Sequence, residues 1–152
     1  MVAEALLCLA LNLYHEARNQ SFAGMIAVAN VVMNRVNSED YPDTVCGVVK
    51  QGPVRESWET KKDPTLKEHE RIYYPVKNMC QFSWYCDGIK DEAYNVEMLE
   101  RAKSIAALIL SGAINDITEG STHYHADYVN PDWASRLKRT VKIDNHIFYR
   151  PR

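Results

Sequence analysis

The first group that could do chemistry is the carboxyl of Glu16, which follows an apolar segment of the chain. Residues 3–11 are apolar apart from Glu4, and a helix that is apolar on nearly every side is typically buried. At the end of that helix, Glu16 would lie near the negative end of the helix dipole and against apolar surface, and both effects raise a carboxyl pKa. This position predicts a general acid; the alternative is a carboxylate that pairs with Arg18 or is solvated.

Metal and nucleophile chemistry have weaker support. His15-Glu16 matches the start of the zinc motif H-E-x-x-H, but Asn19 stands where the second histidine is required. His123 and His125 would share one face of a strand, yet no third ligand stands at a metal-site spacing from them. The chain has neither a G-x-S-x-G motif nor a glycine-rich phosphate loop. We therefore expect no metal and no cofactor.

Two further groups of side chains suit a sugar-binding cleft. Residues 79–88 combine aromatic rings, which stack on pyranose faces, with amides and carboxylates, which read hydroxyl groups. The alternative for this stretch is a hydrophobic corner held by cysteines. Asn30 and Asn34 lie one helical turn apart and predict a polar cleft wall, although two solvated asparagines would follow the same pattern.

These side chains must be positioned by a mainly helical chain. Periodicity and capping residues predict helices over residues 3–17, 22–36 (capped by Ser21), 44–50 (capped by Asp43) and 92–111 (capped by Asp91 and ended by Gly112). Residues 52–77, which carry three prolines and little periodicity, predict a long excursion or lid.

The end of the chain predicts a small antiparallel sheet. Residues 122–126 resemble a short strand, residues 131–135 a turn of helix, and residues 139–143 and 146–149 a hairpin turned at Asp144 and Asn145. We therefore predict an α+β fold, mainly helical with a small antiparallel β-sheet late in the chain, in a single catalytic domain over residues 1–152.

Composition excludes several classes of protein. Hydrophobic residues are 46% and charged residues 25%, as in ordinary globular proteins. The net charge of −2 gives no overall attraction to nucleic acid, and no segment is long enough to cross a membrane.

Residues 6–13 lack the positive flank and cleavage site of a signal peptide, so we expect synthesis in the cytoplasm without an evident leader. Residues 136–152 are basic and predict a solvated face or a contact with an anionic polymer.

One of the four cysteines lies in the first predicted helix, and the other three lie later in the chain. Cys8 falls within the first apolar helix and is interpreted as a free thiol in the core. Cys80 and Cys86 could close a short loop, or either could pair with Cys46. If the protein matures outside the cytoplasm, we expect Cys80 or Cys86 to take part in a disulfide.

Several motifs along the chain are similar to those of the SleB/CwlJ-type cell wall hydrolases. They are LYHEAR at 13–18, GMIAVANVVMNRV at 24–36, YPDTV at 41–45, CQFS at 80–83, DG at 87–88, THYHA at 122–126 and NHIFYR at 145–150. The resemblance covers nearly the whole chain in order, except for about residues 52–77. One departure is Asp144, which stands where the family often has glycine; aspartate tolerates a positive φ.

The resemblance implies a lysozyme-like enzyme that cleaves peptidoglycan. The glutamate of the family's Tyr-x-Glu-Ala-Arg motif falls on Glu16, which implies that Glu16 is the catalytic acid. Members resemble lytic transglycosylases that cut between N-acetylmuramic acid and N-acetylglucosamine. The chain resembles a bare catalytic domain, as in many phage endolysins, and we expect a monomer acting at the cell wall or in the periplasm.

We predict a substrate cleft formed by Gln81, Ser83, Trp84, Tyr124 and His125, together with Asn30 and Asn34. Only one convincing carboxylate is apparent, which favours a reaction assisted by the sugar's own acetamido group over the two-carboxylate scheme. Two alternatives remain. One is a hydrolytic muramidase in which Asp87 or Asp127 positions water, and the other is a catalytically silent glycan-binding module.

Overall fold

A computed structural model describes residues 2–89 and 92–152 of the chain. The helices and strands of these residues are, in order, α1 (Val2–Ala17), α2 (Phe22–Val36), α3 (Val45–Val49), β1 (Val54–Glu56), α4 (Trp58–Lys61), β2 (Tyr73–Pro75), α5 (Val96–Leu110), β3 (His123–Ala126), β4 (Lys138–Ile143) and β5 (His146–Arg150). Short 3₁₀ helices cover Glu68–Glu70, Ser83–Cys86 and Asp132–Arg136. The chain forms two compact units, one of Met1–Val49 with Glu92–Arg152 and the other of Lys50–Asp91.

The helices of the first unit form because apolar side chains recur at helical spacing. In α1, Leu9 and Leu13 are fully buried, and in α5 the buried residues Ala102, Ile105 and Ile109 follow the same spacing. α1 packs against α2, α3 and α5. Ser21 caps α2 as predicted, because its hydroxyl accepts a 3.1 Å hydrogen bond from the amide of Gly24.

Two predicted helix starts are wrong. α3 begins at Val45, and the hydroxyl of Thr44 rather than the Asp43 side chain accepts a hydrogen bond from the amide of Gly47. α5 begins at Val96 after the cap Asn95, whose side chain accepts from the amide of Met98. The predicted cap Asp91 lies outside the described residues. Gly112 follows α5 with φ 77°, as its predicted role as helix stop requires.

The late sheet is antiparallel and has the strand order β3-β5-β4. Tyr124 of β3 lies opposite Phe148 of β5, and their ring centroids are 5.6 Å apart. Phe148 is fully buried against Ala27 and Val31 of α2, so one face of the sheet packs on that helix. The predicted α+β fold, with its small antiparallel sheet late in the chain, is confirmed; the single-domain prediction stays a prediction.

The β4–β5 turn is attached to the start of α2 through Asp144. Asp144 has φ 51°, a conformation that aspartate tolerates, as predicted. Its carboxylate accepts hydrogen bonds from the amide and hydroxyl of Ser21 at 2.8 and 2.7 Å, which lowers the pKa of Asp144. A Cβ at Gly24 would collide with the Asp144 carboxylate and lie 2.8 Å from the Cβ of Gln20. The turn therefore needs glycine at position 24.

We expect Gly24→Ala to destabilise the protein by about 1–3 kcal/mol, the usual cost of overpacking. Asp144→Gly removes the colliding carboxylate while keeping the positive φ accessible. The double variant should therefore lose less stability than the sum of the two single losses, as measured by urea unfolding. Strictly additive losses would contradict the predicted collision.

Both pairs of cysteines form disulfides, and this corrects one prediction. Cys80 pairs with Cys86, one of the alternatives left open by the sequence. Cys8 was predicted to be a free core thiol, but it pairs with Cys46, which lies in α3. The prediction failed because helical periodicity shows that Cys8 is buried but not which helix it faces. The contact between α1 and α3 brings the two sulfur atoms together.

The second unit contains an antiparallel ribbon of β1 and β2 with α4 between them in sequence. Arg71 holds this segment together: its guanidinium pairs with Glu56 at 2.9 Å and donates to the carbonyl groups of Thr60, Asp63 and Leu66. Residues 52–77, predicted as an excursion or lid with little structure, thus contain short strands and helices. Their function as a lid stays a prediction.

Candidate active site

A pocket of about 280 Å³ lies in the first unit, beside the end of α1. It is lined by His15, Glu16, Arg18, Asn19, Gln20, Ala126, Tyr128, Asn145 and His146. These residues come from the end of α1 and the segment after it, from the end of β3 and from the β4–β5 turn. Among the described residues that line it, Glu16 is the one acid.

Three elements surround the carboxyl of Glu16. Glu16 itself is partly buried in the last turn of α1. The hydroxyl of Tyr124 reaches it from β3, and the guanidinium of Arg35 acts on it from α2. The Tyr124 hydroxyl favours the ionised carboxylate, although it forms no hydrogen bond of standard geometry within the described residues. The Arg35 guanidinium attracts the carboxylate through its opposite charge. Arg18, the predicted alternative partner, lies over the ring of Tyr14 at 5.1 Å.

Burial raises the pKa of Glu16, and this is the largest effect on the group. The neighbouring Tyr124 hydroxyl and the positive charge of Arg35 lower the pKa, but by less than burial raises it. The direction agrees with the sequence prediction. Glu16 thus holds its proton to a higher pH than an exposed glutamate, as a proton donor must.

Tyr124 contributes a neutral hydroxyl. Burial raises its pKa well above the ordinary value, and the nearby Glu16 carboxylate raises it further. A phenol that stays protonated beside a carboxyl group can donate a hydrogen bond to it in either protonation state of that carboxyl group. It is therefore suited to orient the Glu16 side chain.

Arg35 is a buried cation within the helical core. Its side chain donates a 2.8 Å hydrogen bond from Nε to the carbonyl of Thr122, and the guanidinium lies 5.0 Å from the centre of the Tyr41 ring. Because Thr122 directly precedes β3, this bond ties α2 to the strand that carries Tyr124. Arg35 therefore supports both the geometry and the electrostatics around Glu16.

Tyr124→Phe should raise the pKa of Glu16, because it removes a hydroxyl group that favours the ionised carboxylate. The Glu16 carboxyl would then lose its proton at a higher pH than in the parent. A carbon-13 NMR titration of that carboxyl measures the shift. Tyr149→Phe is the matched control, because the Tyr149 hydroxyl bonds to His125 instead. A Glu16 pKa that is unchanged or lower in Tyr124→Phe would contradict the assigned interaction.

His125 does not line the pocket beside Glu16. Adjacent residues of a strand point to opposite faces, so His125 points away from the face that carries Tyr124. Its Nε2 lies 2.8 Å from the Tyr149 hydroxyl, and its ring lies 5.6 Å from Trp133. His123 also contacts Trp133, which confirms that the two histidines share a face. The predicted role of His125 in glycan binding stays a prediction.

Asn30 and Asn34 bind the loop before β3 instead of lining this pocket. Asn30 is buried, and its side-chain oxygen accepts from the amide of Ile117. The Asn34 amide donates to Asp116 at 3.0 Å and to the carbonyl of Ser121 at 2.9 Å. These contacts hold the loop before β3 against α2, and the predicted roles of Asn30 and Asn34 in substrate binding stay predictions.

Three of the predicted substrate residues lie in the second unit. Gln81 and Ser83 are exposed, and the Trp84 ring packs edge-on against Tyr85 at 6.0 Å. Asp87, one candidate for positioning water, lies in the same unit. Asp127, the other candidate, is exposed and pairs with Lys142 at 3.3 Å. The binding roles of Gln81, Ser83 and Trp84 stay predictions.

Sequence reasoning missed Arg35 and His146. A cation at position 35 follows Val28, Val31 and Val32 on the buried side of α2, and that pattern predicts a buried charge that needs partners. His146 begins β5 on the same face as Phe148, so strand alternation would have placed it toward the helices. Within residues 2–89 and 92–152, no group of three or more histidine, cysteine, aspartate or glutamate side chains is arranged to hold a metal ion.

The Cell Wall Hydrolase family model matches residues 19–149. The chain therefore belongs to the Cell Wall Hydrolase family, as its motifs indicated. The match begins after Glu16, so the family assignment does not depend on that residue.

Among curated proteins, the spore cortex-lytic enzyme of Oceanobacillus iheyensis is 53% identical over 36 residues, which are 24% of this chain and 13% of that protein. The Bacillus subtilis spore cortex-lytic enzyme is 44% identical over 41 residues, which are 27% of this chain and 13% of that protein. The aligned segments thus cover only a small part of these longer relatives.

Two solved structures share the fold over most of the chain. The catalytic domain of the germination-specific lytic transglycosylase SleB from Bacillus anthracis gives a TM-score of 0.64 at 25% identity, covering 96% of this chain and 93% of that one. The catalytic domain of the Bacillus cereus SleB protein gives 0.63 at 25% identity, covering 96% and 89%. No helix within the described residues is long and apolar enough to span a membrane.

Proposed function

We propose that this chain degrades peptidoglycan at the cell wall by cutting the bond between N-acetylmuramic acid and N-acetylglucosamine, as a lytic transglycosylase. The observation that carries the proposal is Glu16, a partly buried carboxyl group with a raised pKa in a pocket of the first unit. The name of the Bacillus anthracis SleB domain, a lytic transglycosylase of the same fold, supports the reaction class.

In the first step, protonated Glu16 gives its proton to the glycosidic oxygen as the bond to the muramic C1 breaks. Positive charge develops on that sugar ring in an oxocarbenium-like transition state. The acetamido group of the same sugar stabilises this charge, which removes the need for a second carboxylate. The N-acetylglucosamine hydroxyl leaves with the proton from Glu16.

In the second step, the Glu16 carboxylate accepts the proton of the muramic C6 hydroxyl. The C6 oxygen forms a bond to C1, which closes a 1,6-anhydro ring, and Glu16 regains the proton that it gave away. No water is consumed. The Tyr124 hydroxyl and the Arg35 charge stabilise the carboxylate between the two steps, since both favour its ionised form.

The products of purified cell walls distinguish the reaction classes. We expect the parent protein to reduce the turbidity of a cell wall suspension and to release muropeptides that end in 1,6-anhydro-muramic residues, one water lighter than hydrolytic products. Intact mass measurement reads this difference directly. Products with ordinary reducing ends would show that the protein is a hydrolytic muramidase and not a lytic transglycosylase. Binding to cell walls without loss of turbidity would show that it is a glycan-binding module.

A further inference from the structure

Tyr128 is an exposed aromatic residue that lines the pocket with Glu16. It lies two residues after the end of β3, and 85% of the residue is exposed. Burial stabilises a fold in proportion to the apolar area removed from water, so a ring left in solvent contributes little to folding. Single exposed aromatic residues are common on protein surfaces, and what distinguishes Tyr128 is its position at this pocket.

The backbone on both sides of Tyr128 is fixed by hydrogen bonds. The amide of Val129 donates to the carbonyl of Ala126 at 3.1 Å, which closes a turn around Tyr128. The amide of Asp127 donates to the carbonyl of Asn145 at 2.7 Å, which ties the same turn to the β4–β5 turn. The exposed ring is therefore carried by an ordered segment, and a ligand that contacts it need not order the backbone first.

The pocket combines one flat apolar surface with many polar groups. Among the described residues that line it, Tyr128 carries the one phenyl ring, and Ala126 is the one other apolar side chain. The remaining lining groups are charged, amide or imidazole groups. A pyranose ring has hydroxyl groups around its edge and C–H groups on its faces. Polar groups match the edge, whereas a face needs a flat apolar partner such as an aromatic ring.

We infer that the ring of Tyr128 stacks on the face of a sugar in the glycan strand, beside the bond that Glu16 attacks. This inference rests on the proposed function and adds a substrate-positioning residue to it. The stacked ring holds the strand in the pocket and transfers no proton. Such a contact is equally strong in the bound substrate and in the transition state, so its loss should raise KM and leave kcat unchanged.

Two substitutions separate the ring of Tyr128 from its hydroxyl. Tyr128→Phe keeps the ring and removes the hydroxyl, whereas Tyr128→Leu stays apolar but has no flat ring. With soluble, uncrosslinked peptidoglycan strands as substrate, we expect Tyr128→Leu to raise KM about three- to tenfold, the usual worth of an aromatic contact. Its kcat should stay near that of the parent, and Tyr128→Phe should keep the parental KM.

Tyr94→Leu is the matched control, because Tyr94 is a 76% exposed tyrosine of the first unit that does not line the pocket. It should keep the parental KM, and all three variants should unfold at the same urea concentration as the parent. A parental KM in Tyr128→Leu would overturn the inference. An equal rise in Tyr128→Phe or in Tyr94→Leu would overturn it too, as would a rise in KM that follows a loss of stability.

A second measurement detects the stacking itself. A peptidoglycan tetrasaccharide of alternating N-acetylglucosamine and N-acetylmuramic acid is added to Glu16→Gln protein and followed by proton NMR. An aromatic ring shifts the protons above its face upfield, so we expect upfield shifts of the C–H protons of one sugar. These shifts should be absent with Glu16→Gln/Tyr128→Leu protein.

The two measurements distinguish failure of the inference from failure of the proposed function. Saturable binding with the same sugar shifts in both proteins would overturn the stacking by Tyr128 and leave the proposed function intact. A parent that releases no muropeptides would overturn the proposed function. In that case, sugar shifts that depend on the Tyr128 ring would still support the stacking contact, now in a glycan-binding module.

Discussion

Glu16→Gln should release muropeptides at least ~10²-fold more slowly than the parent, the low end of general acid catalysis. Glutamine keeps the size of the side chain and can still accept a hydrogen bond, but it has no acidic proton to give to the glycosidic oxygen. In the proposed reaction the same carboxyl group acts as base in the second step. The substitution therefore affects both steps.

A matched control lies on the same helix. Glu4 is exposed in the first turn of α1, so Glu4→Gln makes the same chemical change away from the pocket and should keep parental activity. Glu16→Gln should still bind cell walls in a sedimentation assay. It should also unfold at a urea concentration no lower than the parent, because it removes a carboxyl group that burial disfavours in its charged form.

The outcome that would remove Glu16 from the mechanism is near-parental turnover by Glu16→Gln. A variant that loses both wall binding and stability would instead show that the carboxyl group maintains the fold. These outcomes are separable because turnover, binding and unfolding are measured on the same preparation.

Local sequence rules were sufficient for α1, for α2 and for the terminal hairpin. Helical spacing predicted α1 and α2 to within a residue, and the hydroxyl of Ser21 marked the start of α2. The β4–β5 hairpin and its turn at Asp144 were also predicted, because turn residues separate two alternating segments. Each of these features is decided by neighbours in sequence.

The neighbours of the Glu16 carboxyl group could not be predicted from the local sequence alone, because they depend on the fold. Its raised pKa followed from an apolar helix, yet Tyr124 and Arg35 come from other elements and reach it only after α2 and β3 pack. Tyr124 and His125 were both assigned to the cleft, but strand alternation sends adjacent side chains to opposite faces. The same rule, applied to the sequence alone, separates Tyr124 from His125, and the substrate-binding roles of both residues stay predictions.

The periodicity of hydrophobic residues could not predict the structure of the segment around Arg71. Its strands have three residues each, too few for an alternating pattern to be distinguished from chance. Its order comes from one guanidinium that binds Glu56 and three backbone carbonyl groups between 5 and 11 residues earlier in the chain. Such a set of contacts can be recognised only when the three-dimensional path of the backbone is known.

Removing the Cys8–Cys46 disulfide should destabilise the protein about twice as much as removing Cys80–Cys86. The two bonds join cysteines separated by 38 and 6 residues, respectively. In the chain-entropy model, closing loops of these lengths contributes about 4 and about 2 kcal/mol. In the unfolded Cys8→Ala/Cys46→Ala variant, the two segments that form α1 and α3 are no longer linked. In the unfolded Cys80→Ala/Cys86→Ala variant, only a short loop is released.

Calorimetry of the two double variants against the oxidised parent measures this difference, and each variant serves as the control for the other. Non-reducing peptide mapping of the parent should first recover both cross-linked peptide pairs. Because α1 carries Glu16, loss of Cys8–Cys46 should lower the temperature at which activity is lost while leaving turnover near 25 °C close to parental. Equal losses of stability, or a larger loss without Cys80–Cys86, would contradict the loop-length argument; free Cys8 in the parent would contradict the pairing itself.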